Sequence, residues 1–168
     1  MSAKDASQRR RGVFVADRPN LVRVSPERQM ESAEQSFQNE SEQQIQVDRK
    51  VQQIPATAEL AEALGIPAGQ EIKHVVTRAT ENGRPISISD THHALDVADI
   101  SDAAYLEETI SDQLPTTAHA EWLRTTPGDL VKTVHQRFVA ADERVVMISN
   151  ISYPRDRYEA FVFRMTLK

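Results

Sequence analysis

Residues 57–89 read TAELAEALGIPAGQEIKHVVTRATENGRPISIS, and residues 116–149 read TTAHAEWLRTTPGDLVKTVHQRFVAADERVVMIS. The two stretches share one layout. A Thr opens a short Ala/Glu/Leu pattern of helical period, and a Pro and a Gly follow. An extended strand carrying Arg comes next, then a polar tip and a returning apolar strand. Thr57 matches Thr116, Ala61 matches Ala120, Leu64 matches Leu123, Gly69 matches Gly128 and Arg78 matches Arg137, every pair separated by the same offset. A constant offset through helix, turn and strand predicts one helix-plus-hairpin unit used twice around a shared core. Two copies are too few for a solenoid. The expected product is one α+β domain, an antiparallel sheet with flanking helices and an internal pseudo-repeat. A cleft between pseudo-equivalent halves is a natural place for a small ligand.

Inside the first copy, Gly65 stands where a left-handed cap is needed, Ile66 can fold back on Leu60, and Pro67 stops the helix. Residues 70–80 and 85–93 form a hairpin around Asn82-Gly83, the dipeptide a two-residue type I′ turn demands. That turn sets Arg78 opposite Ser87 and Val76 opposite Ser89. Arg78, Ser87, Ser89 and Thr91 then share one face of the sheet, and Ile86 and Ile88 point to the other. The second hairpin takes 130–139 and 144–153, although Asp142-Glu143 is a poor type I′ pair. Outside the copies, Ile45, Val47 and Val51 alternate with polar residues over 44–53, the period of a half-buried strand. Residues 102–111 read as a helix packing through Ala103, Tyr105, Leu106 and Ile110. Residues 116–124 are the second-copy helix, with Trp122, the only tryptophan, as a core anchor. Residues 159–167 close the chain as a strand with Phe161, Phe163 and Met165 on one face. At the other end, 2–8 reads as disordered, 11–16 as a short strand, and 17–26 as an extended linker. Residues 31–42 read as a loop or weak edge whose one large apolar group is Phe37.

The chain has 168 residues, which predicts one folded domain over 45–168 behind an arm and linker over 1–44. No run of 18 apolar residues exists, and the first residues carry no apolar stretch, so neither a membrane span nor a secretory leader is expected. The absence of cysteine excludes disulfides and thiolate chemistry and fits a reducing cytoplasm. The net charge of −5 is uneven. Residues 1–28 hold seven Lys/Arg against three Asp/Glu, whereas the remainder is acidic. An acidic body is a poor match for a phosphate backbone, which leaves Arg9, Arg10 and Arg11 as weak DNA contacts.

One guanidinium beside three hydroxyls on a rigid hairpin suits an anion or a sugar phosphate. The alternative is an ordinary solvent-facing polar sheet surface. His92 and His93, being adjacent on a strand, point to opposite faces and cannot easily chelate one ion. His119 and His135 are isolated and read as surface or satisfied histidines. Glu107 and Glu108 stand beside packing residues without support for acid–base work. No nucleophile elbow, P-loop or dinucleotide fingerprint occurs. No catalytic residue, metal or cofactor is expected, and the chain does not read as an enzyme.

The run Ala63-Leu64-Gly65-Ile66-Pro67-Ala68-Gly69, the strand to Arg78, and Asn82-Gly83-Arg84-Pro85-Ile86 resemble the effector domain, called UTRA, of the HutC branch of the GntR regulators. The closing Asp156-Arg157-Tyr158-Glu159-Ala160-Phe161-Val162-Phe163 is similar to that domain's final motif. The resemblance covers roughly 45–168. Arg11-Gly12-Val13-Phe14-Val15 looks like the last wing strand of the DNA-binding domain of such regulators, with Arg10 at a usual glycine position. The helix-turn-helix that should precede it is missing. The resemblance implies a chorismate-lyase-like fold and an effector-binding domain of a cytoplasmic regulator. Such a regulator, often a repressor, is a homodimer that meets operator DNA through the missing winged helix. It also implies effector contacts from Arg78; from Ser89, Thr91 and His92; from Met147 and Ser149; and from Tyr158. Three positions depart from the family pattern: Ser89 replaces a Glu, His92 an aromatic, and Met147 a frequent Glu. These departures put a sugar-phosphate pocket in question and leave open a different or less polar effector, a ligand-free interaction and dimerisation module, or a small lyase-like enzyme of the same fold.

Overall fold

The computed structural model describes residues 21–24, 32–40, 43–163 and 167. The arm at 2–8, Arg9, Arg10 and Arg11, the wing-like segment 11–16 and Met165 lie outside them. The chain divides into two compact units, 47–80 with 84–154, and 1–46 with 81–83 and 155–168.

In the larger unit the elements follow the order β2 (Ile45–Pro55), α2 (Ala58–Leu64), β3 (Glu71–Glu81), β4 (Arg84–Ala94), β5 (Ala103–Gln113), α3 (Thr117–Leu123), β6 (Val131–Ala140) and β7 (Val145–Tyr153). The strands form one six-stranded sheet in the order β2-β3-β4-β7-β6-β5. That order is a strand triplet and its reverse, with β4 and β7 pairing antiparallel across the middle. Both helices begin on a Thr whose hydroxyl accepts a backbone N–H, Leu60 at 3.2 Å for Thr57 and His119 at 3.3 Å for Thr116. Each such cap satisfies one orphan donor of the first turn. Both helices end left-handed, at Gly65 (φ 68) and at Arg124 (φ 59).

The helices cross over between the halves. Ala61 and Leu64 of α2 pack with Ile72 of β3 and Ile148 of β7. Leu123 and Trp122 of α3 pack with Ile88 of β4, Val131 of β6 and Val76 of β3. Each copy's helix therefore lies on the inner strand of the other copy. Ile88 and His92 are four residues apart on β4, hence on one side. His92 is the cross-strand partner of Ile148, so both helices cover the same face.

The first hairpin turns as its dipeptide predicts, with Asn82 at φ 50 and Gly83 at φ 80. The second uses a three-residue loop. Glu143 takes the left-handed position (φ 71), and the Ala140 N–H donates to the Arg144 carbonyl at 2.8 Å. A register shift at Phe138/Val139 accommodates the extra residue.

The segment 102–111 is not a helix; it lies in strand β5. Leu106, Glu108 and Ile110 are half-buried while Tyr105, Glu107 and Thr109 are exposed, a period of two. The apolar residues fit either period. The ladder with β6, running from Tyr105 opposite Val139 to Gln113 opposite Val131, settles it. Val51, expected half-buried, is 56% exposed on the edge strand β2.

The smaller unit contains β1 (Leu21–Val24), α1 (Ala33–Glu40) and β8 (Ala160–Phe163). Part of the expected linker is thus a strand, paired in parallel with the closing strand. The expected loop at 31–42 is a helix. Ser32 accepts from the Gln35 N–H at 3.2 Å, and the Gln35 side chain accepts from the Ser32 N–H at 3.0 Å. This reciprocal capping box starts α1. Phe37 is buried there, with the Arg157 guanidinium 5.7 Å from its ring. Arg157 also donates to Glu81 at 3.1 Å, a pair almost wholly removed from water.

Candidate functional site

The face under the two helices is polar along its middle. Asp90 of β4 stands at the centre, and two histidines donate to its carboxylate. His74 Nε2 reaches Oδ1 at 2.6 Å from β3, and His119 Nε2 reaches Oδ2 at 2.6 Å from α3. Burial raises the carboxyl's proton affinity, but the bonds from His119 and His74 outweigh it and hold the pKa at about 2. A carboxylate can only accept, so both rings carry hydrogen on Nε2. In neutral rings the Nδ1 atoms then accept. Ser152 Oγ supplies His119 Nδ1 at 2.7 Å, and Gln52 Nε2 supplies His74 Nδ1 at 3.1 Å. The chain Gln52–His74–Asp90–His119–Ser152 links β2, β3, β4, α3 and β7 with every donor matched to an acceptor.

His92 lies flat on His74, ring centroids 4.4 Å apart and planes 7° from parallel. Burial, then the neighbouring His74, lowers its pKa to about 4, so the ring is neutral at pH 7. Its Nδ1 is buried without a hydrogen-bond partner. Further along the same side, Arg78 sits with its Cζ 4.8 Å from the Trp122 ring centroid. Trp122 is itself fixed by donating Nε1–H to the Ser87 carbonyl at 3.0 Å. Two donors of Arg78, Nε at 3.0 Å and Nη2 at 2.6 Å, converge on Oδ2 of Asp48 on β2. In the second copy, Arg137 donates to Glu107 of β5.

The expected clustering of Arg78 with Ser87, Ser89 and Thr91 does not hold. Through Trp122, Arg78 belongs to the side of Ile88, Asp90 and His92. Ser89 and Thr91 alternate to the opposite side, opposite Ile151 and Ser149. There Thr91 Oγ1 and Ser149 Oγ hydrogen-bond at 2.9 Å, and Met147 pairs with His93 on the same side. The seven expected contacts thus fall into separate groups. Arg78 and His92 lie under the helices, and Ser89, Thr91, Met147 and Ser149 lie on the other side. Tyr158 is buried in the smaller unit against Arg157 and Phe161. The sequence reading missed His74, Asp90, Gln52, Asp48 and Ser152, and took His119 only as isolated. The usable signal was parity. His74, Val76 and Arg78 share a side of β3, and Asp48 and Gln52 share a side of β2.

Against known proteins, the sequence model of the UTRA domain matches residues 49–109, which run from β2 into β5 and contain His74, Arg78, Asp90, His92 and Glu107. A GntR-family transcriptional regulator superposes on the chain with a TM-score of 0.71 at 18% identity, covering 90% of this chain and 74% of its own. The C-terminal domain of the histidine utilization repressor from Pseudomonas syringae pv. tomato str. DC3000 gives 0.63 at 18%, covering 70% of this chain and 96% of its own. PhnF from Mycobacterium smegmatis gives 0.65 at 17%, covering 88% and 72%. At these identities the likeness is one of fold, and it is the α+β fold that the resemblance implied. No curated protein sequence matches the chain.

Ser152, His119 and Asp90 stand in the order of a nucleophile relay. Ser152 and His119 are only 4% and 3% exposed, so no substrate carbonyl can reach the hydroxyl. The row is a clasp between α3 and the sheet. Among the described residues, no three His, Asp or Glu are placed to hold a metal ion, and no helix is long and apolar enough to cross a membrane.

Proposed function

We propose that this chain is the UTRA-type effector-sensing and dimerisation module of a HutC-type GntR regulator. The regulator is a cytoplasmic repressor that meets operator DNA as a homodimer through a winged-helix domain. The effector is a small molecule, no cofactor takes part, and the domain does no catalysis. One observation carries the proposal. Within a fold used by regulator C-terminal domains, a polar row bounded by two helices ends at Arg78, a partly exposed guanidinium lying on an aromatic ring. Closed sheet faces are filled with apolar side chains; this one keeps a cation-bearing rim. Arg78 and His92 are the expected effector contacts that share this side, with Asp90, His74 and His119 behind them. The Ser89, Thr91, Ser149 and Met147 group and Tyr158 remain contacts that the resemblance alone supports.

Thermal unfolding against metabolite mixtures tests this. A ligand at a hundredfold excess over its Kd adds about 2.7 kcal/mol, and Arg78→Met removes that gain. Sedimentation then shows a dimer. A second reading, an interaction module without a small ligand, is favoured by the histidine–aspartate row being satisfied from within. It prevails if no metabolite class shifts the transition.

A further inference from the structure

The arginine at the rim is occupied by a carboxylate of the chain itself. Asp48 and Gln52 are four residues apart on β2, and His74 and Arg78 are four apart on β3. Their contacts, Asp48 with Arg78 and Gln52 with His74, follow one antiparallel register. The second copy repeats the register, with Glu107 opposite Arg137 and Ser111 opposite Thr133. Asp48 and Glu107 are themselves separated by the offset that relates Arg78 to Arg137. The surroundings of the two arginines differ between the copies. Trp122 lies over Arg78, whereas the first-copy equivalent of Trp122 is Ala63 of α2, which offers Arg137 no comparable ring. Of two guanidiniums with equivalent acidic partners, one also lies over an aromatic ring. An Arg so placed keeps its orientation when its carboxylate leaves.

We infer that Asp48 is a built-in competitor at Arg78, and that the domain's ligand carries an anionic group that enters by displacing the Asp48 carboxylate. This rests on the effector-sensing reading above. Side chains of the pair are 39% and 59% exposed. An ion pair that open to water is weak and readily exchanged. A carboxylate or a phosphate ester satisfies the same donors, with Trp122 still beneath the guanidinium. Asp48 therefore sets affinity by subtraction: it touches no ligand, yet its removal frees the arginine.

Trp122 is the only tryptophan, so its emission reports directly on the guanidinium above it. The wild-type chain and the variants Asp48→Asn, Asp48→Ser, Arg78→Met and Glu107→Gln are titrated with succinate and with glycerol 3-phosphate. Both Asp48 variants should tighten at least one probe by roughly two- to five-fold, the weight of an exposed pair. Arg78→Met should abolish the response, and Glu107→Gln should bind like wild type. If Arg78→Met abolishes binding while both Asp48 variants match wild type, the competitor role is wrong and the effector reading survives. Tightening in Glu107→Gln equal to that in Asp48→Asn reduces the effect to general loss of negative charge and overturns the inference. If neither anion perturbs Trp122 in any variant, the inference and the assignment of Arg78 to the effector fall together.

Discussion

Replacing Asp90 gives the sharpest test of how the helix face is held. Asp90→Ala removes the acceptor for two ring N–H groups, one of them on His119, which is 3% exposed. A buried donor left without a partner costs about 1–3 kcal/mol. His119 bears that in full and His74, nearer the surface, bears part, so the expected loss is about 3 kcal/mol. At this chain length that is a fall in Tm of roughly 6–12 °C. Asp90→Asn should be milder for a specific reason. The carboxamide keeps one oxygen, which still accepts from His74, but presents an NH2 toward His119. The His119 ring can answer by moving its proton to Nδ1. Nε2 then accepts from the carboxamide NH2, and Nδ1–H donates to the Ser152 hydroxyl, which accepts as readily as it donates. Only charge assistance is lost, about 1–2 kcal/mol. Differential scanning calorimetry at pH 7.5 measures both costs, and long-range nitrogen–proton NMR reads the His119 tautomer in each protein. Equal losses for Ala and Asn, or an Asn variant in which both His119 and His74 keep their protons on Nε2, would refute the hydrogen-bond directions assigned to the row.

Acid should destabilise the protein in two separate windows. His92 has its pKa lowered to about 4, so the fold favours the neutral ring. Its stabilisation is complete above the unfolded value near 6.5 and is lost as pH falls toward 4. After discounting for its partial exposure, that is about 1–2 kcal/mol. His92→Phe, which keeps the stack on His74, should flatten this limb of the pH profile. Asp90, held at about 2, contributes stability that is full above about pH 4 and disappears between there and about pH 2, so the His92 variant should keep this second limb. Thr57→Ala and Thr116→Ala should each cost about 1 kcal/mol and add in the double variant, since the caps serve different helices; urea midpoints would show it. Arg157→Met should cost about 3–5 kcal/mol by stranding buried Glu81. Pairing it with Glu81→Met should restore much of the loss, and failure to recover would mean that Arg157 acts through its ring contacts rather than through the carboxylate.

The helix stop at Gly65 and the Asn82-Gly83 turn were legible because each rests on local chemistry, and the Thr that opens each helical pattern proved to be its cap for the same kind of reason. A left-handed residue, a fixed turn or a side chain reaching the next few N–H groups requires no knowledge of the rest of the fold. The same is true of the capping box at Ser32 and Gln35, which the polarity of the surrounding segment concealed; one buried Phe37 sufficed to dock the helix. The candidate site was harder. Asp90, His74 and His119 lie far apart in sequence and meet only through strand parity and the crossing of α3 over β4. A register slip of one residue moved Arg78 to the wrong face on paper, since a period of two allows no intermediate error.

The strand at Ala103–Gln113 shows what a repeat can override. Its composition of Ala, Leu and Glu favours a helix, and its apolar spacing permits one. The constant offset between the copies does not. Extended one element backwards from Thr57 and Thr116, it maps β2 at Ile45–Pro55 almost onto β5, and it maps Asp48 onto Glu107. The repeated unit is therefore strand–helix–hairpin, and each copy brings its own edge strand and its own carboxylate for the shared arginine position. The edge pairs then follow from the duplication: Asp48 with Arg78 on one side, Glu107 with Arg137 on the other. Divergence between the copies is the informative part. Arg78 has a tryptophan above it and a histidine–aspartate row beside it, and among the described residues Arg137 has neither. A duplicated scaffold that departs from its own symmetry at one guanidinium is where a single ligand is best sought, and chemical-shift changes confined to Arg78 but absent from Arg137 on anion addition would carry that asymmetry into function.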